Sequence, residues 1–346
     1  MKFTPEKRDW LNDRLLAWYG LSKRALPWRE TRDPYRILLS EIMCQQTQVQ
    51  TVIPYYERFL EALPTLEALS EAPMSQVLKL WEGLGYYRRA RMLKTLAEVV
   101  LKEYNGILPR TRDALLKLPG IGTYTSAAIA SIVFGEPEGV VDGNVYRVYS
   151  RFFNLDWDIS LGESRKCFQS LANQLVSKTA PGDYNQAVME LGATVCSPGQ
   201  PSCHNCPIST RCAVVQQGIN PSKRPVKSKK TKVRKQVFNC YWVQDQGKLL
   251  LVKRPEQGLL SGLWELPTDL AGMELLERKT DQDADMVIHH KYSHIDATYR
   301  IFLKKTGCSS FKIPDELEHA WVTSEHVKKI PVTGVMKKVF EASKEF

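Results

Sequence analysis

Four cysteines near the middle of the chain restrict its fold more than any other feature of the sequence. Their spacing is C-x6-C-x2-C-x5-C, within a 17-residue segment that also holds prolines and a glycine, which indicates a loop rather than a helix face. Four thiolates so close in sequence can converge on one metal centre. Zinc sites usually pair two C-x2-C elements, whereas cubane iron–sulfur clusters accept more varied spacings, so we favour a cluster over zinc. The residues are Cys196, Cys203, Cys206 and Cys212.

The rest of the composition is that of an ordinary globular protein, long enough for two domains: 346 residues, 43% hydrophobic and 25% charged. No apolar run approaches the ~20 residues of a membrane span, and the first residues lack the apolar core of a signal peptide. The other cysteines are scattered, which argues against a disulfide framework. We therefore expect a cytoplasmic protein that does not associate with membranes.

Positive charge favours a polyanionic partner. The formal net charge is +10 and the pI is near 9.1, which is typical of proteins that bind nucleic acid, although many other proteins are basic. Eight basic residues and no acidic one lie between Lys223 and Lys235. This basic segment is either a solvated linker or a linker that also contacts phosphate.

The hydrophobic pattern changes at the basic segment. Before it, apolar residues recur at three- and four-residue steps, and prolines divide them into short predicted helices. After it, alternating runs such as residues 237–243 and 248–252, separated by an Asp-Gln-Gly turn, predict strands and a hairpin. We predict a helical catalytic domain over residues 1–217, a linker over 218–236 and an α+β domain over 237–346.

A Pro-Gly-x-Gly turn joins two predicted helices near residue 120. Its glycines let backbone N–H groups approach a phosphate, and the helix that follows adds its positive N-terminal end. Such a helix-hairpin-helix element holds the DNA backbone without reading sequence, although the same turn could be only a structural corner. The predicted backbone contacts are Leu118, Gly120, Gly122 and Thr123.

Two carboxyl groups occupy different predicted environments. Asp142, in Val-Val-Asp-Gly-Asn-Val, stands where an N-cap is expected, and backbone donors and the helix dipole favour its anion. Glu41 lies on an apolar helix face, where desolvation raises the pKa of a carboxyl and lets it hold a proton near neutral pH. Each position also has a purely structural interpretation, a helix cap and a boundary glutamate. A proton donor beside a fixed anion is the arrangement that cleavage of a glycosidic bond requires.

Together these motifs resemble the helix-hairpin-helix DNA glycosylases of the endonuclease III superfamily. The run SEIMCQQTQV at residues 40–49 narrows the resemblance to the adenine DNA glycosylases of the MutY type, and residues 27–29, 83–87 and 262–267 fit that family too. The resemblance covers essentially the whole chain. It implies a multidomain fold with an all-α helix-hairpin-helix glycosylase domain and a C-terminal α+β Nudix-like (MutT-like) domain. Within the first, it implies a six-helix barrel over about residues 29–133 and a cluster-bearing subdomain formed by residues 1–28 and 134–217.

The resemblance also implies an activity: excision of adenine opposite 8-oxoguanine or guanine in double-stranded DNA, in base excision repair, by a monomer carrying one [4Fe-4S] cluster on the four cysteines. Glu41 would protonate the flipped-out adenine. Asp142 would stabilise the sugar cation or bond to it, with Tyr124 and Asn144 supporting that aspartate. The implied substrate contacts are Trp28, Arg29 and Gln186 in the adenine pocket, Gln46 and Tyr86 as wedges in the duplex, and Tyr292, Ser293 and His294 at the oxidised guanine.

Position 124 separates two classes of glycosylase. In lyase-competent relatives this position holds the lysine that forms a Schiff base. Tyr124 cannot attack as an amine, so the chain should remove the base and leave the strand intact. One alternative is an oxidised-pyrimidine glycosylase with lyase activity, which Tyr124 and the extra C-terminal domain oppose. The other is a non-enzymatic, cluster-containing DNA-binding module, which leaves Glu41 and Asp142 without a function.

The C-terminal domain lacks the spacing of the hydrolytic Nudix box, whose clustered glutamates hold magnesium. After residue 267 the chain has Glu274, Glu277 and Arg278, but in another register. We therefore expect a recognition domain without pyrophosphatase activity. The resembling family has phenylalanine at the position of Tyr292. This difference does not affect the role that the resemblance implies for the adjacent Ser293.

Overall fold

The computed structural model describes residues 4–228, 233–256, 258–268, 284–305 and 317–343. Internal contacts divide the chain into two compact units. The first consists of Met1–Tyr56, Thr65–Glu67 and Thr95–Lys230, and the second of Glu57–Pro64, Ala68–Lys94 and Thr231–Phe346. The domain limits predicted above stay predictions. Glu274, Glu277 and Arg278, on which the expectation about the Nudix box rests, lie outside the described residues.

Residues up to 223 form helices joined by short loops. A 3-10 turn at Pro27–Arg29 follows the first helix, and further 3-10 turns lie at Cys203–Asn205, Ser209–Arg211 and Pro221–Lys223. The α-helices are α1 (Pro5–Ser22), α2 (Pro34–Cys44), α3 (Val49–Ala62), α4 (Leu66–Glu71), α5 (Met74–Leu80), α6 (Arg88–Tyr104), α7 (Arg112–Leu115), α8 (Thr123–Ile132), α9 (Gly143–Phe152), α10 (Gly162–Leu175), α11 (Pro181–Thr194) and α12 (Ala213–Gln216).

One apolar core in the first unit supports the cysteine loop. Helices α1, α9, α10 and α11 bring Leu15, Tyr149, Phe168 and Tyr184 together with almost no exposed surface. Burying each such side chain stabilises a fold by roughly 1.5–3 kcal/mol. Cys196, Cys206 and Cys212 pack half-buried against the same core. The loop therefore rests on a rigid base.

Helix α11 lies unusually close to its neighbours at two glycines. A Cβ atom added to Gly182 would lie 2.7 Å from the Cα atom of Ile132 in α8, and one added to Gly192 would lie 2.5 Å from the Cβ atom of Asn144 in α9. Contacts this short leave no room for a methyl group. The two glycines therefore permit α11 to pack against both helices at once.

Among the described residues of the second unit, six strands form one mixed sheet. Its order is β3-β2-β1-β5-β4, with β6 paired to β2; β1 and β5 are parallel and the other pairs are antiparallel. The elements are β1 (Arg234–Asp245), β2 (Lys248–Lys253), β3 (Trp264–Glu265), β4 (Met286–Lys291), β5 (Ile295–Lys305), β6 (His319–Val322), α13 (Ser324–Val327) and α14 (Gly334–Ser343).

The predicted hairpin is confirmed. Asp245 pairs with Lys248, and the two residues between them, Gln246 and Gly247, have φ angles of 45° and 74°, as a tight two-residue turn requires. Alternation along β1 sends Phe238, Cys240 and Trp242 to the face covered by α14, and Tyr241 and Val243 to the other. The predicted fold class, a helical part followed by an α+β part, is confirmed. No described helix is both long and apolar enough to cross a bilayer.

The tight packing of α11 can be tested with one methyl group. Replacing Gly182 by alanine should lower the free energy of unfolding by about 1–3 kcal/mol, because the Cβ atom would meet the backbone of α8. Gly162→Ala, in the first turn of α10 with no atom within 4 Å of the added Cβ, is the matched control and should change stability little. Equal urea denaturation midpoints for the two variants would contradict this packing account.

Candidate active site

Helix α2 holds Glu41 at the edge of the apolar core. The helix begins at Pro34, and the side chain of Asp33 caps it by accepting the backbone N–H of Arg36 at 2.8 Å. Glu41 is half-buried, and its neighbours Ser40 and Ile42 are buried. These local features place one carboxyl at a half-buried position between buried neighbours on the helix.

The Glu41 carboxyl is poised between its protonated and ionised forms near neutral pH. Burial is the largest cause and raises its pKa to about 7, and the negative charge of Asp142 adds to this. A hydrogen bond from the Tyr124 hydroxyl to Oε2 of Glu41, 2.9 Å long, and the positive charge of Arg29 act in the opposite direction. The prediction that Glu41 has a raised pKa is confirmed.

Asp142 caps α9, as its sequence position predicts. Its carboxylate accepts the backbone N–H of Val145 at 2.7 Å and the Asn144 side-chain amide at 2.8 Å. Burial nevertheless outweighs these donors and raises the pKa of Asp142, a direction that capping alone does not predict. The two carboxyls differ in their donors: Asp142 has several that favour its anion, whereas Glu41 accepts one hydroxyl hydrogen bond.

Tyr124 contacts a different carboxyl from the one that the resemblance implies. It lies in the first turn of α8, and its hydroxyl donates to Glu41 and touches Sδ of Met189 at 3.4 Å. Burial and the charge of Glu41 raise the pKa of Tyr124 well above its ordinary value. In this structure the hydrogen bond of Tyr124 goes to Glu41 and that of Asn144 to Asp142, and the support of Asp142 by Tyr124 stays a prediction.

Arg147 connects Asn144 to the cysteine loop. Its guanidinium donates to Oδ1 of Asn144 at 2.8 Å and to the carbonyl oxygens of Gly192 and Cys196, both at 2.7 Å. A continuous set of hydrogen bonds thus runs from the Asp142 carboxylate to the backbone of the first cysteine. Sequence reasoning missed Arg147, although its place three residues after Asn144 on α9 is visible in the sequence.

A buried ion-pair cluster lies beside the predicted adenine pocket. Glu190 accepts hydrogen bonds from the guanidinium groups of Arg24 and Arg29, at 2.7 to 2.8 Å. Arg29 is one of the charges that act on Glu41. Trp28 is buried, with its ring edge-to-face against Tyr56 at 5.2 Å between centroids. Sequence reasoning missed Arg24 and Glu190, because no local pattern pairs residues 166 positions apart.

The helix-hairpin-helix turn presents its backbone to solvent. Gly120 has a φ angle of 78°, which favours glycine, and Gly122 precedes α8 as its N-cap. Gly120, Gly122 and Thr123 are exposed. The Leu118 side chain is buried, so only its backbone could meet a phosphate.

The remaining predicted contacts lie at different places in the two units. Gln46 and Tyr86 both have positive φ angles, 55° and 49°, which are uncommon for residues with side chains. Gln186 is half-buried on α11. In the second unit, Ser293 and His294 are exposed at the tip of the β4–β5 turn, which a hydrogen bond from the Tyr292 N–H to the Ile295 carbonyl closes at 2.8 Å.

The four predicted metal-binding cysteines line one pocket. Burial and the other three cysteines raise the pKa of the Cys206 thiol to about 12. The guanidinium of Arg151, which is 3% exposed, donates to Sγ of Cys196 at 3.4 Å and to the carbonyl of Ser197 at 2.7 Å. Within the described ranges, no three His, Cys, Asp or Glu side chains are grouped as one metal ion requires.

Comparisons with known proteins agree with this geometry. Residues 39–174 match the HhH-GPD superfamily of base excision DNA repair proteins, and residues 239–342 match the NUDIX domain. The adenine DNA glycosylase of Rattus norvegicus is 36% identical over 96% of this chain and 77% of its own length.

Two solved structures are similar to the helical part. A thermostable thymine-DNA glycosylase is 35% identical, with a TM-score of 0.56, over 61% of this chain and 98% of its own. A non-covalent endonuclease III–DNA complex is 25% identical, with a TM-score of 0.53, over 63% of this chain and 99% of its own.

The chain belongs to the adenine DNA glycosylase family.

The fold of this glycosylase therefore brings two carboxyls of unlike surroundings to one place. Three elements supply the site: the end of α2, the first turn of α8 and the N-cap of α9. Helix α11 backs it through Met189 and Gly192, which touch Tyr124 and Asn144. Such an arrangement can donate a proton from one side and hold a positive charge from the other.

The raised pKa of Glu41 makes stability depend on pH. Between its unfolded pKa near 4.5 and about 7, the folded state holds more protons than the unfolded state, so stability falls as pH rises through this window. Glu41→Gln removes that group. The variant should be more stable than the wild type at pH 8, by up to about 3 kcal/mol, and the difference should shrink to about 1 kcal/mol at pH 5.

Urea unfolding at the two pH values measures this difference. Glu103→Gln, an acid-to-amide change at an exposed position of α6, is the control and should behave like the wild type at both. A Glu41→Gln variant with the same gain or loss at pH 5 and pH 8 would show that the Glu41 carboxyl titrates normally.

Proposed function

We propose that this chain is a monofunctional glycosylase that hydrolyses the N-glycosidic bond of adenine paired with 8-oxoguanine or guanine in duplex DNA. The observation that carries the proposal is the pair of carboxyls. Glu41 has its pKa raised to about 7 by burial, and Asp142 beside it accepts hydrogen bonds from Val145 and Asn144. General acid catalysis works best with a pKa near the working pH.

The proposed reaction uses the two carboxyls in sequence. Glu41 gives its proton to a ring nitrogen of the flipped-out adenine, and the electron pair of the glycosidic bond leaves with the base. The sugar then carries a positive charge, which the Asp142 anion stabilises. Water adds to the sugar carbon and its proton returns to Glu41. Trp28, Arg29 and Gln186 would surround the adenine.

Tyr124 supports a reaction without strand cleavage. A lyase needs an amine that forms a Schiff base with the sugar. The tyrosine hydroxyl donates to Glu41, and its pKa is raised well above the ordinary value, so it is a poor nucleophile. We therefore propose that it orients the Glu41 proton and takes no covalent part.

We further propose that Cys196, Cys203, Cys206 and Cys212 hold a [4Fe-4S] cluster. The four residues line one pocket, and their C-x6-C-x2-C-x5-C spacing suits a cluster better than the paired C-x2-C elements usual for zinc. When bound, the cluster would fix the fold of this loop. Arg151, buried against Cys196, would balance the negative charge of the ligated thiolates.

DNA contacts complete the proposal. The exposed backbone of Gly120, Gly122 and Thr123 suits a phosphate. Gln46 and Tyr86 would wedge into the duplex, since their positive φ angles are strained conformations of the kind that cluster at functional sites. The exposed Ser293 and His294 would inspect the oxidised guanine. A cytoplasmic monomer stays a prediction.

One labelled duplex with an A:8-oxoguanine pair tests the activity. Incubation alone should leave the strand intact, and heat with alkali afterwards should cut it at the adenine position, because an abasic site has formed. Glu41→Gln should abolish base release while a gel-shift assay still detects binding. Cleavage without alkali would favour the lyase alternative, and binding without any abasic site would favour the non-enzymatic one.

The cluster has its own test in metal analysis. The purified chain should contain iron and acid-labile sulfide in equal amounts, about four of each. Cys206→Ser should lose most of both, whereas the control Cys167→Ser, at an exposed cysteine outside the loop, should keep them. One zinc per chain, without sulfide, would overturn the assignment.

A further inference from the structure

Glu190 is a buried carboxylate, and both of its oxygens accept hydrogen bonds from arginines. It lies on α11 and is 1% exposed. Oε1 accepts Nε of Arg24 at 2.8 Å and the Arg24 backbone N–H at 3.1 Å; Oε2 accepts Nη2 of Arg24 at 2.7 Å and Nη2 of Arg29 at 2.8 Å. Burial alone would raise the pKa of Glu190, but the two arginines lower it to about 2. The group is therefore an anion at any working pH.

The two arginines border the turn that carries Trp28. Arg29 also donates to the Arg24 carbonyl at 3.0 Å, so Glu190 closes a ring with both residues. The Arg29 side chain is 8% exposed and packs over the ring of Tyr19. With one carboxylate and two guanidiniums, the cluster keeps a net positive charge. Without Glu190, the buried Arg29 charge would lose its carboxylate partner in the cluster.

The positive charge of Arg29 acts on the Glu41 carboxyl. The ionisable groups that influence the Glu41 carboxyl come from three elements: Tyr124 in α8, Asp142 before α9, and Arg29 in the 3-10 turn. Cys44, one turn along α2, acts on Tyr124 and Arg24. Arg29 favours the ionised form of Glu41, and the Glu190 carboxylate carries the opposite charge within 2.8 Å of the Arg29 guanidinium. Met189, the neighbour of Glu190 in α11, touches the Tyr124 hydroxyl at 3.4 Å.

We infer that Glu190 is a positioning residue of this site: it fixes both guanidiniums beside the proposed adenine pocket and shields the Glu41 carboxyl from the positive charge of Arg29. The inference rests on the proposed function, in which Glu41 is the proton donor. Glu190 itself touches no reacting atom. A purely structural ion pair would hold the fold together without changing how Glu41 titrates.

The pH dependence of base release separates the two roles. Single-turnover release of adenine from an A:8-oxoguanine duplex is measured between pH 5 and 9 for the full chain. In the wild type the rate should fall at high pH as Glu41 loses its proton, and we call this fall the alkaline limb. In Glu190→Gln the alkaline limb should shift to lower pH by about one unit, because Arg29 now favours the Glu41 anion. The rate at pH 8 should fall about tenfold relative to wild type, and less at pH 5.5. Glu190→Asp, which keeps the charge, should restore the wild-type limb.

Two further variants make the result decisive. Asp183→Asn is the matched control, an acid-to-amide change on the same helix at a half-buried residue that pairs with Arg32, and it should leave the profile unchanged. Glu190→Gln combined with Arg29→Gln removes both charges at similar volume. It should return the alkaline limb to its wild-type position, and it serves if Glu190→Gln alone does not fold.

Two results would overturn the inference and leave a structural ion pair. One is a loss of rate in Glu190→Gln that is equal at all pH values, and the other is a double variant whose alkaline limb stays shifted. Failure of the inference is distinct from failure of the proposed function. If the wild type itself shows no alkaline limb, or Glu41→Gln still releases adenine normally, Glu41 is not the donor and both statements fall together.

Discussion

In the proposed reaction, the desolvation of one carboxyl group is the interaction on which the rest depends. Glu41 lies between buried neighbours on α2 and accepts a hydrogen bond from the Tyr124 hydroxyl. Burial raises its pKa to about 7. Asp142 is half-buried, and burial raises its pKa as well, although a backbone N–H and an amide donate hydrogen bonds to its anion. The two carboxyls therefore differ in the number of donors that stabilise their anions, while burial raises the pKa of both. Protonation of a leaving base and stabilisation of a cation need that difference.

Helix α11 keeps these surroundings in place. Gly182 and Gly192 let it approach α8 and α9 within distances that any side chain would prevent. From this position it supplies Met189 to Tyr124 and Glu190 to Arg29, and its Gly192 carbonyl holds Arg147. The cysteine loop begins two residues after the helix ends, at Cys196. One helix therefore connects the loop, the aspartate and the arginine that acts on Glu41.

Features set by local sequence could be predicted, and features set by distant pairing could not. The N-cap at Asp142, the turn at Gln246 and Gly247 and the alternation of β1 follow from neighbours in the chain. The apolar surroundings of Glu41 also showed in its sequence. The partner of Tyr124, by contrast, depends on how α2 and α8 meet. Likewise, Glu190 and its arginines are joined only by the tertiary fold, and no periodicity marks them.

The most direct measurement of the central claim is the titration of Glu41 itself. Infrared difference spectra of the wild type minus Glu41→Gln, recorded between pH 4 and pH 9, isolate this carboxyl from the others. The account predicts a protonated carboxyl band that disappears with a midpoint near pH 7. A band lost near the ordinary glutamate pKa of about 4.3 would contradict it.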